Sequence, residues 1–255
     1  MVATIYGLLG LVMSGGAEKL AEVSGVPGVE ALPVIEELPD PFLLNDGSRV
    51  KTLADWQKRR KEILEILLTY QYGHMPPPPD NIKVERVSSK TALNGLATEE
   101  RLVLSFGPES RIRVQVGLFI PRAGKDPFPL ILAIEPIWAE ELRSVASKIV
   151  QGGYLFAGYE RHDLDKENAD RTDGVHPLYP EYDWATLSAW AWGALRVTDY
   201  LFTRADVDRQ RIALTGHSRA GKTALLAAAL DERIVLVAPH ASGAGGAGCY
   251  RILGE

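Results

Sequence analysis

A chain of 255 residues that is 46% apolar and 24% charged has the composition of one large soluble globular domain. Its net charge of −5 comes with no basic stripe to neutralise phosphates, which excludes nucleic acid as its main partner. The lone cysteine, Cys249, excludes an intrachain disulfide and reads as a small buried apolar residue.

An apolar run at residues 5–13 opens the chain, followed by the small residues Ser14, Gly15, Gly16 and Ala17. The run is far too short to cross a bilayer. It resembles a signal peptide imperfectly, since no lysine or arginine precedes Lys19. Secretion or a periplasmic location is the expectation it supports. Residues 26–40 carry Pro27, Pro33 and Pro39 and read as a lead-in that hugs the surface. After a turn at Asn45-Asp46-Gly47-Ser48, Thr52 is placed to cap a helix with Asp55 at its third position. Trp56, Ile63, Leu64, Leu67 and Leu68 share one face of that helix, which is expected to end by Tyr72-Gly73. Pro76 to Pro79 then enforce an extended spacer.

Residues 83–87, 100–106 and 111–120 alternate apolar with polar side chains, as antiparallel strands do. From Pro129 the pattern changes. Residues 130–134 are unbroken apolar, which suits a strand buried on both faces of a parallel sheet. A helix at 140–151, a strand at 154–157 and a long helix at 183–202 follow. A strand at 211–215, a helix at 222–230 and a strand at 234–238 complete the alternation. Repeated strand–helix units after antiparallel strands give an α/β fold, with functional loops at the carboxyl ends of the strands.

The chemistry concentrates at Gly216-His217-Ser218-Arg219-Ala220-Gly221-Lys222-Thr223. A strand, a glycine-bounded bend and a helix can lift Ser218 out of the sheet as a nucleophile. The same residues match the phosphate-loop pattern, in which Lys222 would hold a nucleotide and Thr223 a magnesium ion. Against that alternative, a phosphate loop normally opens its domain, and here only residues 224–255 follow. The next strand also ends in Pro239-His240, with no acid for magnesium. A serine nucleophile needs a base, and in this fold the order is serine, acid, histidine. His74, His162 and His176 precede the serine, His217 adjoins it, and His240 comes too early. The base is therefore expected beyond Glu255. Asp163, Asp165, Glu167, Asp170 and Asp173 have no calcium-loop spacing and read as a hydrated acidic loop. Residues 159–163 and 135–138 follow parallel strands and are candidates to line the cleft. For 135–138 a second oxyanion amide is suggested, by position only.

The segment from Gly216 to Lys222 resembles the Gly-x-Ser-Arg-x-Gly-Lys signature of the glucuronoyl esterases, carbohydrate esterase family 15. Tyr72-Gly-His-Met-Pro, Trp190-Ala-Trp-Gly-Ala and Ser242-Gly-Ala-Gly-Gly-Ala-Gly-Cys-Tyr-Arg are similar to stretches of its bacterial members. The resemblance runs from about Leu38 to the last residue. It implies an α/β-hydrolase fold, with residues 1–40 as tail and lead-in and 41–255 as a domain cut short before its acid and histidine. It also implies hydrolysis of the ester between 4-O-methyl-glucuronic acid of xylan and lignin alcohols, through an acyl-enzyme on Ser218. Arg219 would then stabilise the oxyanion and Lys222 would bind the uronic sugar. No cofactor or metal is implied, the partner is the glucuronoxylan–lignin ester, and a monomer is expected. Where fungal members carry a glutamate this chain has Ala241, and where they carry a cysteine before the serine it has His217. An acetylxylan-type esterase, a non-catalytic carbohydrate-binding remnant and the nucleotide binder at Gly216–Thr223 are the alternatives.

Overall fold

The computed structural model describes residues 26–168 and 170–251, so the apolar run at 5–13 and the secretion expectation lie outside the described residues. The chain divides into two compact units, residues 1–74 and 75–255, and the division falls at the proline spacer. In the first unit, Thr52 caps helix α1 (Leu53–Leu67) through a reciprocal capping box. The Thr52 hydroxyl accepts from the Asp55 amide at 3.1 Å, and the Asp55 carboxylate accepts from the Thr52 amide at 2.9 Å. The last turn, Leu68–Tyr72, widens into a π-helix and stops at Gly73, whose φ of 75° few other residues tolerate. Phe42 packs against Trp56 with ring centroids 5.8 Å apart.

The second unit holds one seven-stranded sheet of β1 (Lys83–Ala92), β2 (Ala97–Phe106), β3 (Ile112–Pro121), β4 (Phe128–Ala133), β5 (Leu155–Tyr159), β6 (Val207–His217) and β7 (Ile234–His240). Its order is β1-β2-β3-β5-β4-β6-β7. The first three strands form an antiparallel meander that meets β5 antiparallel, while β5, β4, β6 and β7 run parallel. Helix α2 (Glu140–Gln151) links β4 to β5, α3 (Thr186–Leu201) lies between β5 and β6, and α4 (Arg219–Leu230) lies between β6 and β7. The chain leaves β4 towards β5 on one side and returns to β6 on the other. A crevice is expected at such a reversal, beyond the carboxyl ends of the strands. This is an α/β-hydrolase arrangement.

Most element bounds shift by a few residues from the sequence reading, and three of the shifts have a clear physical reason. Strand β1 runs on to Ala92 because it is an edge strand, where Ser88, Ser89 and Lys90 stay in solvent. It turns back through Asn94 (φ 54°) and Gly95 (φ 90°). Helix α3 starts at Thr186 rather than 183, because the Arg171 guanidinium takes the carbonyls of Tyr182 and Asp183 at 2.7 and 3.0 Å. Helix α4 starts at Arg219, three residues early, because the bend before it is confined to Ser218.

The core sits on both faces of β4 and β5 and around α3. Trp184, Trp190 and Trp192 are fully buried, and the Tyr159 hydroxyl donates to the Trp190 carbonyl at 2.6 Å. Burial pushes the Tyr159 phenol far above its usual range, so it stays a neutral donor there. The Trp190 indole donates to the Asp165 carbonyl at 2.8 Å, which fastens the loop after β5 to α3.

Candidate active site

At the end of β6 the chain reverses within one residue. Ser218 adopts φ 53°, ψ −119°, a region that L-residues enter only under strain. Its amide donates to the His240 carbonyl at 2.9 Å, which ties the bend to the end of β7. The approach of strand and helix is close enough that a Cβ on Gly216 would lie 2.4 Å from the Ala220 carbonyl oxygen. Gly221 is less tight, a Cβ there lying 3.0 Å from Ser242 and 3.1 Å from the His240 carbonyl. Gly216 is therefore demanded by space, while at Gly221 the neighbours would have to give by a few tenths of an ångström. Ser218 is exposed and occupies the N-cap position of α4, yet its side chain caps nothing. The hydroxyl is thus left available at the amino end of a helix, where first-turn amides lack intrahelical partners and favour negative charge.

Arg219 is 58% exposed and pairs with Glu167 at 3.0 Å. The other oxygen of Glu167 accepts from Arg161 at 2.9 Å. Arg161 is anchored deeper. It lies 4.8 Å over the Trp190 ring, pairs with Glu135 at 3.3 Å and donates to the Ile134 carbonyl at 3.3 Å. The Arg161 hydrogen bond, helped by the Arg219 charge, holds the Glu167 carboxyl below the usual carboxylate range. Glu167, Asn168, Thr186, Leu187, Trp190 and Arg219 line a cleft of about 380 Å³.

Lys222, one helical turn on, donates to the Ala244 carbonyl at 2.5 Å. That bond fixes the glycine-rich segment after β7 and leaves two of the three ammonium protons for other acceptors. The segment is compact: the Ser242 hydroxyl accepts from the Ala247 amide at 2.9 Å, and a Cβ on Gly246 would strike Ser242 at 2.5 Å. The nucleotide alternative fails on this geometry. Thr223 is fully buried and its hydroxyl donates back to the Arg219 carbonyl at 3.0 Å, so it cannot hold magnesium.

The structure brings Ser218, Arg219 and Lys222 together at one end of α4. The candidate cleft segments fall nearby in part: Glu135 and Arg161 join the Arg219 network. His162 turns to Glu160 at 2.8 Å, and His217 faces His240 with ring centroids 4.9 Å apart. The acidic loop is not simply hydrated. Asp165 is buried and pairs with the buried His176 at 3.0 Å, Asp163 accepts from the Gln115 amide at 2.9 Å, and Glu167 carries the two arginines. Spacing concealed these roles, because each partner comes from a different element. Among the described residues, no cluster of three or more histidine, cysteine or acidic side chains is arranged to hold a metal ion. No described helix is long and apolar enough to cross a membrane.

The family model described as glucuronyl esterase, fungi, matches residues 105–255. A 4-O-methyl-glucuronoyl methylesterase of Podospora anserina is 33% identical over 86% of this chain and 44% of its own length. The chain spans about half the length of the curated relatives it matches. A solved glucuronoyl esterase from Solibacter usitatus superposes with a TM-score of 0.73 at 31% identity, over 86% of this chain and 66% of that one. The glucuronoyl esterase catalytic domain from Hypocrea jecorina gives a TM-score of 0.68 at 28% identity, over 89% of this chain and 59% of that one.

Proposed function

Because this chain belongs to the glucuronoyl esterase family, we propose that it carries the nucleophile of a serine hydrolase acting on 4-O-methyl-glucuronoyl esters. Such esters join xylan to lignin alcohols. The observation that carries the reading is Ser218: strained, exposed, uncapped, and set at the amino end of α4. A serine held at this backbone cost and bonded to nothing through its side chain gains little as structure. Strain of this kind costs about 1–3 kcal/mol and collects where a reactive atom must be presented.

Attack of the Ser218 oxygen on the uronate carbonyl forms a tetrahedral intermediate whose oxygen becomes negative. In this reading the Arg219 backbone amide and guanidinium stabilise it, and a well-aimed donor of this kind contributes about 3 kcal/mol to lowering the barrier. Collapse expels the alcohol and leaves the uronoyl group on Ser218, and water then releases the acid. Lys222 supplies its two remaining donors to sugar hydroxyls. The cleft beside Arg219, about 380 Å³, falls within the usual size of ligand pockets. A general base takes the Ser218 proton as the bond forms and delivers it to the leaving alcohol. The working enzyme is taken as a monomer with no nucleic-acid partner.

The test is hydrolysis of benzyl glucuronate, with acetylated xylan as the competing substrate. The protein is assayed as this chain and with any coding sequence that follows it. Uronate ester cleavage that Ser218→Ala abolishes is the expected result. Cleavage of acetylated xylan alone, or turnover that survives Ser218→Ala, overturns the reading.

A further inference from the structure

Arg219 sits on the first turn of α4, more than half exposed, on a long flexible side chain. An exposed ion pair seldom fixes such a side chain, because the rotamer entropy lost cancels most of the attraction. Here the partner is not free. Glu167 bridges two guanidinium groups, one through each carboxylate oxygen: Oε1 accepts from Arg161 at 2.9 Å, and Oε2 pairs with Arg219 at 3.0 Å. Arg161 is only 13% exposed and is itself held by Glu135, the Ile134 carbonyl and the Trp190 ring. The fold has therefore already ordered Glu167 before Arg219 reaches it.

The two arginines and the carboxylates of Glu167 and Glu135 sum to zero charge, so what the network supplies is a fixed place for the Arg219 guanidinium rather than a surplus of positive charge.

From these contacts we infer that Glu167 is a positioning residue for the proposed ester hydrolysis, holding the Arg219 guanidinium beside Ser218 through a relay anchored on Arg161. This rests on the esterase reading above. Its sequence position gives no hint of the role, since Glu167 lies in the loop after β5 and Arg219 after β6.

The experiment is a double-mutant cycle on benzyl glucuronate in whichever form of the protein cleaves it in the assay above, as wild type, Glu167→Gln, Arg219→Ala and the double variant, with Ser218→Ala as control. Glu167→Gln is expected to lower kcat about tenfold with KM within about twofold, because misplacing a transition-state donor costs rate rather than ground-state binding. In the Arg219→Ala background the same change is expected to do nothing further. Additive losses, or a change confined to KM, overturn the inference. Arginine side-chain NMR provides an arm that needs no turnover. Hindered rotation of the Arg219 guanidinium in the wild-type chain, released in Glu167→Gln, supports the relay. Free rotation in the wild type refutes it whether or not the variant folds. Turnover that survives Ser218→Ala instead removes the esterase reading, leaving the NMR result to decide the relay alone.

Discussion

The Ser218 amide reaches the His240 carbonyl at 2.9 Å, so the bend after β6 is locked to the end of β7 while its own backbone stays strained at φ 53°, ψ −119°. This separates two properties of Ser218, its hydroxyl and its dihedral angles. Ser218→Ala removes only the first, and Ser218→Gly removes both. Glycine takes this conformation without the Cβ penalty of about 1–3 kcal/mol, but gives back about 0.5–1 kcal/mol in unfolded-chain entropy. Ser218→Gly is therefore expected to be about 1 kcal/mol more stable than Ser218→Ala in denaturant unfolding, with both inactive. Equal midpoints would mean that the bend relaxes in solution.

Gly216 presents the opposite case. It has no unusual φ, yet its missing Cβ is where the Ala220 carbonyl oxygen lies, 2.4 Å from the ideal position. Gly216→Ala must push α4 away from β6 and so carry Ser218 with it. Overpacking of this kind costs about 1–3 kcal/mol, and the obstacle here is backbone that cannot rotate aside. The expected result is a loss near the upper end of that range, together with a fall in turnover far larger than the fall in folded fraction. A variant of wild-type stability and activity would show that the strand–helix contact is looser than it stands here.

Much of this was legible in the sequence, and the reason is locality. The apolar run at 130–134 announces β4 because a strand covered on both faces has no polar side to display. Helix α2 starts and stops where its periodicity and the Gly152-Gly153 pair place it. The elbow could be read because Gly216, Ser218 and Gly221 are neighbours whose spacing is itself the geometry. What stayed hidden is what topology assembles. The pairs Glu167–Arg219 and Asp165–His176 join segments far apart in the chain, and an acidic stretch read alone resembles a solvated loop. Thr186 as the start of α3 was obscured too, because only the fold puts Arg171 on the two carbonyls that an earlier start would use.

Asp163 supplies a pH test of how that loop is held. Burial raises its pKa above the usual 3.8, and the Gln115 backbone and side-chain amides only partly offset this. Glu160 adds to the rise, while His162 opposes it. The folded carboxyl thus binds its proton more tightly than the unfolded one. Its contribution to stability is fully present below the unfolded value and is lost as the pH climbs through the folded value. At neutral pH the chain therefore bears the cost of a charged, half-buried carboxylate. Asp163→Asn keeps an oxygen that can accept from the Gln115 amide, now at 2.9 Å, and removes the charge. Its Tm at pH 7 is expected to equal or exceed that of the wild type. The advantage should shrink as the pH falls towards 3.8 and vanish below it. Paired melting curves from pH 3 to pH 7 check this. An advantage that grows on acidification would instead mean that the Gln115 hydrogen bonds outweigh burial, and that Asp163 anchors β3 to the β5 loop as a charged group.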